Sequence, residues 1–230
     1  MIRIGNLYVK RKIPVISNLE LTIDEGEVYV LLSSGHRAPD DLVNIFLGLE
    51  KEFRGSVEVE GMDIVSEWRD CRERIVCFTG HRQWPPDMKL GDVVTFFKSN
   101  MDIPEDEFEE FYIKLDLENK GRKKMSDLEE ADRRNILFSL YRLLRCGNYV
   151  VRDFAAGMPL DFTLGFKKTI GQMKREGCSI LYMGSDVFFA PEIGDRIGFM
   201  KKGRLLLELK ADKMKKMNLK ELYYQFLVDS

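Results

Sequence analysis

The stretch that decides the fold is residues 31–42, LLSSGHRAPDDL, where a buried strand gives way to a helix. Residues 28–32 before the turn are apolar throughout, and residues 42–49 after it are apolar with helical spacing. A strand–turn–helix junction of this kind is a place where a helix N-terminus can hold a phosphate group. The glycine pattern and the lysine of a phosphate-binding loop are missing, so whether the turn binds phosphate needs separate evidence.

Bulk composition excludes several classes of function. The 230 residues carry a net charge of −2, which gives no basic surface for nucleic acid. Cys71, Cys77, Cys146 and Cys178 show no CxxC pairing and are interpreted as reduced thiols. The chain has only 2 histidines, so we expect no histidine-rich metal site. With 44% hydrophobic residues, the length is sufficient for one sizeable core.

The apolar patterns alternate between strand and helix along the chain. Predicted strands cover residues 2–9, 19–23, 28–32, 56–61, 74–79, 149–153, 179–183, 197–200 and 204–208. Predicted helices cover residues 40–49, much of a charged region from 90 to 145, residues 162–176 and residues 219–228. The order predicts one α/β domain spanning residues 1–230. Residues 1–89 and 146–230 would form its core, and residues 90–145 a helical subdomain.

Several motifs in this order resemble the ATP-binding cassette of ABC transporters over nearly the whole chain. Residues 33–49 align without a gap with that family's GPNGAGKST-LLNILLGL, and residues 54–64, RGSVEVEGMDI, resemble its SGEVLVDGKDI. Residues 195–204, DRIGFMKKGR, resemble its DRVVVMKKGRI. The resemblance implies a P-loop NTPase-like cassette with an antiparallel β subdomain, a mixed or parallel core sheet and an inserted helical subdomain.

The residues that would bind ATP in that family are replaced at the phosphate loop. Positions matching its glycines carry Ser33, His36 and Ala38, and the lysine position carries Pro39. Asp40 and Asp41 stand where serine and threonine hydroxyls would meet Mg²⁺. A phosphate and an aspartate carboxylate carry like charges, and two unit charges about 4 Å apart repel by roughly 4 kcal/mol at an effective dielectric near 20. These aspartates would therefore oppose binding of a triphosphate. We therefore expect Asp40 and Asp41 to stabilise the start of the helix, with Pro39 as its first residue.

The other positions that the resemblance identifies are also altered. The glutamine position after the strand at 74–79 carries Gly80, and the switch histidine position carries Ser185. Residues 128–132, LEEAD, stand near the signature sequence and are interpreted as an acidic first turn of a helix. Asp153 keeps the metal-organising aspartate, but Phe154 replaces the glutamate that would act as general base. Arg152 is expected to form an internal ion pair with Asp153.

These replacements lead to three hypotheses. The favoured one is a non-catalytic cassette-like subunit that pairs with a second cassette, identical or different, and with a membrane-spanning permease. It would lie on the cytoplasmic face of the membrane and need no cofactor. The alternatives are a weak or altered ATPase using ATP and Mg²⁺, with Asp40, Asp41 and Asp153 in a different geometry, and a soluble regulatory protein that kept the fold. Candidate docking residues for the permease are Trp84, Pro85, Pro86, Phe96 and Phe97, with residues 81–83 beside them.

Overall fold

Two β-sheets form the framework of the chain. The computed structural model describes residues 1–33, 35, 37–80, 84–101, 103–214 and 216–225. The strands are β1 (Ile2–Lys10), β2 (Pro14–Ile23), β3 (Val28–Ser33), β4 (Arg54–Val59), β5 (Met62–Asp63), β6 (Ile75–Thr79), β7 (Asn148–Arg152), β8 (Ser179–Gly184), β9 (Arg196–Lys201) and β10 (Arg204–Lys210). An antiparallel sheet has the order β2-β1-β4-β5, and a mixed sheet has the order β10-β9-β3-β8-β7-β6.

Helices cover both sheets and fill the region between β6 and β7. They are α1 (Arg37–Phe46), α2 (Trp68–Cys71), α3 (Leu90–Asn100), α4 (Glu105–Lys114), α5 (Leu117–Lys120), α6 (Glu130–Arg142), α7 (Leu160–Arg175), α8 (Ala190–Ile193), α9 (Ala211–Met214) and α10 (Leu219–Tyr223), with a 3₁₀ turn at Met125–Asp127. None of the helices in the described ranges has both the length and the apolar sequence needed to cross a membrane.

The parallel strands of the mixed sheet lie in the centre of the core. β3 pairs with β8 and β9, and β7 pairs with β6 and β8, in parallel register. Every residue of β3 and β7 is buried, because helices pack on both faces of a parallel sheet. The carboxyl ends of β3, β7 and β8 therefore meet at one edge, where open α/β sheets place their ligands.

The helices between β6 and β7, residues 90–142, are here called the helical segment. Its buried side chains, including Phe97, Phe111 and Phe138, belong to the same apolar cluster as Val28 of β3 and Val151 of β7. The helical segment therefore packs on the mixed sheet through a continuous core and not through a separate one.

The structure confirms the predicted α/β fold with an antiparallel and a mixed sheet, and it corrects two helix boundaries. α1 begins at Arg37 and not at residue 40, so Pro39 is the third helical residue and not the first. Pro39 is tolerated because the first N–H groups of a helix have no intrahelical partner. The predicted closing helix at 219–228 is shorter, since α10 ends at Tyr223, and residues 226–230 lie outside the described part.

Gly203 in the β9–β10 turn should be the least replaceable glycine of this region. Its φ is +77°, and a Cβ built there would lie 2.0 Å from the carbonyl oxygen of Val15 in β2. We expect Gly203→Ala to lower the free energy of unfolding by about 2–4 kcal/mol, through positive-φ strain and overpacking. Gly61→Ala is the control, because φ there is +81° but the surroundings are open, so only about 1 kcal/mol should be lost. Urea denaturation that gave equal losses for both variants would contradict this assignment.

Candidate functional site

A small pocket, here called the phosphate pocket after the phosphate-loop position beside it, lies at the edge where β3, β7 and β8 end. It is lined by Ser33, Gly35, Pro39, Arg152, Asp153, Gly184 and Ser185. Its volume is about 10 Å³, room for about one water molecule. The structure thus brings together five of the residues selected from the sequence, Ser33, Pro39, Arg152, Asp153 and Ser185. His36, also selected, lies outside the described residues.

The guanidinium of Arg152 dominates the electrostatics of this pocket. Arg152 ends β7 with only 3% of its side chain exposed, and its Nε lies 3.4 Å from Oδ2 of Asp153. This confirms the ion pair predicted from the sequence. Its Nη1 also contacts the carboxylate of Asp40 in α1, a partner that the sequence did not indicate. Burial lowers the pKa of Arg152 and Asp153 opposes that effect, so the group stays charged near neutral pH.

Asp41 has a different partner from the one expected. Its side chain is buried and lies 3.3 Å from Nη2 of Arg11, in the turn between β1 and β2, and the same nitrogen contacts Glu50. Burial tends to raise the pKa of Glu50, but the backbone N–H of Glu52 and the Arg11 guanidinium hold it below its usual value. Asp40 and Asp41 were predicted to stabilise the helix start. Asp40 does lie in the first turn of α1, where a carboxylate stabilises the helix end, and it also pairs with Arg152. Asp41 pairs with Arg11, which the sequence did not indicate.

ATP and Mg²⁺ are the groups that a cassette fold implies, and the described residues of this pocket do not fit them. Ala38 and Pro39 are buried, and the pocket has room for about one water but not for three phosphates. Arg152 supplies a cation in this pocket, but its guanidinium already faces the carboxylates of Asp40 and Asp153. Two carboxylates beside one guanidinium leave the pocket with a net negative charge, which opposes binding of an anion.

Phe154, at the position expected for a general base, points into the core. It is 2% exposed, and its ring centroid lies 4.4 Å from that of Phe166 and 4.8 Å from that of Phe138. Asp153 adopts a positive φ of 49°, and Phe154 follows this turn directly. Residue 154 is therefore part of the packing between the helical segment, through Phe138, and the sheet.

Gly80 and Arg134 form a contact that sequence reasoning missed. Arg134 of α6 donates from Nη1 to the carbonyl oxygens of Asp153, at 2.9 Å, and Phe154, at 2.6 Å. A Cβ on residue 80 would lie 2.5 Å from the Asp153 oxygen and 2.9 Å from Nη1 of Arg134. The absence of a side chain at Gly80 therefore makes room for the contact between α6 and the end of β7. In the sequence, the adjacent arginines 133 and 134 after the acidic stretch were the feature that could have indicated this contact.

The stretch interpreted as an acidic first helical turn is confirmed. α6 begins at Glu130, and Glu130 and Asp132 lie in its first turn. Glu130 accepts a hydrogen bond from Nε of Arg134 at 2.7 Å and also contacts Arg133. Asp132 lies 3.2 Å from Nζ of Lys120 in α5, so both carboxylates of this turn already have cationic partners.

The docking candidates separate into surface and core residues. Pro85, Pro86 and Phe96 are exposed, the last by 48%, and Trp84 is half-buried with its ring centroid 5.8 Å from that of Phe96. Phe97 is only 2% exposed and packs 5.0 Å from Tyr141, so its proposed docking role is corrected to core packing. Residues 81–83 lie outside the described part. Trp84, Pro85, Pro86 and Phe96 are here called the aromatic surface.

A carboxylate at position 154 should not turn this site into a hydrolase. We expect Phe154→Glu to show no phosphate release from ATP and to lose more than about 3 kcal/mol of unfolding free energy, because the charge would be buried among aromatic rings. Phe154→Leu, which keeps an apolar side chain, should lose clearly less. Urea denaturation measures the unfolding free energy of each variant, and a phosphate-release assay measures ATP hydrolysis. Turnover in the Phe154→Glu variant would contradict the assignment.

The Arg134 contact predicts different effects for two neighbouring arginines. Arg134→Ala leaves the carbonyl oxygens of Asp153 and Phe154 without this donor and should cost about 1–3 kcal/mol of unfolding free energy. Arg133 donates to Met125, within the helical segment, so Arg133→Ala should cost less than about 1 kcal/mol. Denaturation curves of the two variants test this difference, and equal losses would show that Arg134 does not link α6 to the sheet.

Comparisons with known sequences agree with this architecture. No family model matches the chain. The Fe(3+) ions import ATP-binding protein FbpC of Vibrio cholerae is 22% identical over 199 residues, which cover 84% of this chain and 56% of that protein. The glutamine transport ATP-binding protein GlnQ of Geobacillus stearothermophilus is 23% identical over 202 residues, 84% of each chain. The chain thus spans little more than half the length of this FbpC relative.

Solved structures give the same result for the fold. The ATP binding subunit of an ABC transporter superposes with a TM-score of 0.85 at 15% identity, covering 98% of this chain and 99% of the other. cbiO1 from Clostridium perfringens, part of the transporter complex cbiONQ, superposes with a TM-score of 0.76 at 18% identity, covering 97% and 94%. The chain therefore has the ATP-binding cassette fold, and its sequence is similar to the ATP-binding subunits of ABC transporters.

Proposed function

We propose that this protein is a non-catalytic, cassette-like subunit of an ABC transporter. It associates with a membrane-spanning permease and with a second cassette subunit, identical or different, at the cytoplasmic face of the membrane. The observation that carries the proposal is the Arg152 guanidinium, buried in the pocket between Asp40 and Asp153. An internal ion pair thus stands where a nucleotide-binding cassette would hold phosphate.

The lack of catalysis is supported by the loss of separate chemical roles. Pro39 offers no cation, Phe154 is an apolar ring in the core, and Ser185 has no imidazole to relay a proton. Gly80 offers no amide side chain for a metal ion. A substitution that restored one of these chemical groups would leave the others missing. The proposal therefore does not depend on any one of these residues. On this proposal the protein needs neither ATP nor Mg²⁺ to be ordered.

Association with other subunits is supported by the fold and by the relatives. FbpC and GlnQ are described as transport proteins, and cbiO1 as part of a transporter complex. The aromatic surface offers a place for a permease, since exposed aromatic rings beside prolines are typical of protein interfaces. Phe96 and Trp84 would contribute most of its apolar area.

A second candidate is an altered ATP-binding subunit, favoured by the relatives' description as ATP-binding proteins. In that case nucleotide would bind in a geometry that moves Arg152 away from Asp40. If this candidate is right, Mg-ATP should change how much of its partner subunits the chain binds. The favoured proposal expects no such change. A third candidate is a soluble regulatory protein, in which case only soluble partners should bind to the chain.

One capture experiment separates the three candidates. The immobilised full chain is incubated with detergent-solubilised membranes of the source organism, with and without Mg-ATP, and bound proteins are identified by mass spectrometry. We expect a multispan membrane protein or a second cassette in equal amounts under both conditions. Recovery that depends on Mg-ATP would support the altered ATP-binding subunit, and recovery of soluble proteins alone would support the regulatory protein.

A matched pair of variants tests the aromatic surface. Phe96→Ser should reduce permease recovery at least about tenfold, as expected for loss of an aromatic anchor, and leave the second cassette bound. Phe188→Ser is the control, because Phe188 is 63% exposed but does not belong to the aromatic surface. Equal permease recovery by both variants would place the docking site elsewhere.

A further inference from the structure

A larger cleft lies between the helical segment and the amino ends of β7 and β8, away from the phosphate pocket. It has a volume of about 590 Å³ and is here called the lower cleft. Its walls come from α4 and α6, and its floor includes Cys146, Tyr149 and Cys178. Pockets for small organic ligands usually measure about 300–1,000 Å³. The lower cleft has the size that the phosphate pocket lacks.

Tyr149 provides the polar group in the floor of the lower cleft. The residue is 2% exposed, lines the cleft, and its hydroxyl has no hydrogen-bond partner among the described residues. The hydroxyl is not among the fully buried side-chain atoms that lack a partner, so it reaches the surface of the lower cleft. Burial of the ring raises the pKa of Tyr149, so the phenol stays protonated and can both donate and accept. A ligand atom in the cleft can therefore hydrogen-bond to this hydroxyl.

Two ion pairs join the walls of the lower cleft to its floor. Arg142 of α6 lies 3.0 Å from Glu176, which follows α7, and Arg145 contacts Glu107 of α4. These pairs satisfy most of the charge in the cleft. Glu110 and Lys114 of α4 also line it, both exposed, and neither has an ion-pair partner among the described residues.

The spacing of Glu110 and Lys114 indicates the charge pattern of a ligand. Residues four apart on a helix have their Cβ atoms about 5–6 Å apart on one face. A ligand with an ammonium group and a carboxylate at a similar separation would meet both side chains. The acids of the lining, Glu107, Glu110 and Glu176, are balanced by Lys114, Arg142 and Arg145, so the cleft has no net positive charge that would favour a polyanion such as a nucleotide.

The remaining lining is apolar. Phe111 is 6% exposed, and Leu115 and Leu143 are partly buried against the core. Such a lining takes up the apolar body of a ligand while a few polar groups orient it. A strongly hydrated ion alone would leave this surface without a partner.

We propose that the lower cleft binds a zwitterionic, amphipathic small molecule of about dipeptide size. Its carboxylate meets Lys114, its ammonium group meets Glu110, and a polar group between them hydrogen-bonds to the hydroxyl of Tyr149. Phe111, Leu115 and Leu143 receive its apolar part.

Calorimetry of the full chain with the dipeptide leucyl-phenylalanine tests the proposal. We expect saturable binding, weakened about five- to tenfold in Tyr149→Phe, which removes only one hydrogen-bonding group. Tyr112→Phe is the matched control, because Tyr112 lies on α4, which forms a wall of the lower cleft, but does not line the cleft itself; this variant should bind the dipeptide as tightly as the wild type. The N-acetylated and the C-amidated dipeptides should each bind at least about tenfold more weakly, as each lacks one charge.

Three results would overturn the proposal: no saturable binding at millimolar dipeptide, equal affinity of Tyr149→Phe and wild type, or equal affinity of blocked and free dipeptides. Glu110→Gln and Lys114→Gln give a second test that does not depend on a buried residue. Both positions are exposed, so the variants should fold normally and bind the dipeptide more weakly. Thermal unfolding of each variant checks that the fold is retained.

Discussion

The ion pairs of Arg152 with Asp40 and Asp153 are the constraint on which the rest of the site depends. A buried guanidinium is stable only when carboxylates face it, and removing one partner of such a group is strongly unfavourable. With a side chain that is 3% exposed, Arg152 requires these partners, and they in turn connect α1 to the end of β7. The ion pair of Arg152 with Asp40 thus fixes the start of α1 against the end of β7.

The backbone of residues 152–154 is held from several sides. The carbonyl oxygen of Arg152 accepts from the N–H of Gly80, and the N–H of Asp153 donates to Met183. Arg134 then binds the next two carbonyl oxygens. Since these contacts share one short segment, residues 80, 152 and 154 are physically coupled, and substituting one of them alone disturbs the others.

Much of the fold could be predicted because it depends on local patterns. The buried strands at 28–32 and 149–153 and the charged helices after residue 90 were evident from apolar spacing, and the structure shifts their ends by only a few residues. Helix ends were less predictable, as α1 shows, because they depend on turn contacts such as the hydroxyl of Ser33 with Gly35. Within the site, the pair of Arg152 and Asp153 was predictable because the two residues are adjacent.

The sequence by itself determined the α/β order of elements and which side chains stand at residues 39, 154 and 185, because residue identity decides which groups can carry charge or a proton. Only the tertiary structure decided which charged groups surround these positions. Arg152 and Asp40 are far apart in the chain, as are Arg134 and Phe154, so their contacts depend on how β7 packs beside α1 and α6. The same holds for Tyr149, which lines the lower cleft only because the helical segment forms the walls of that cleft.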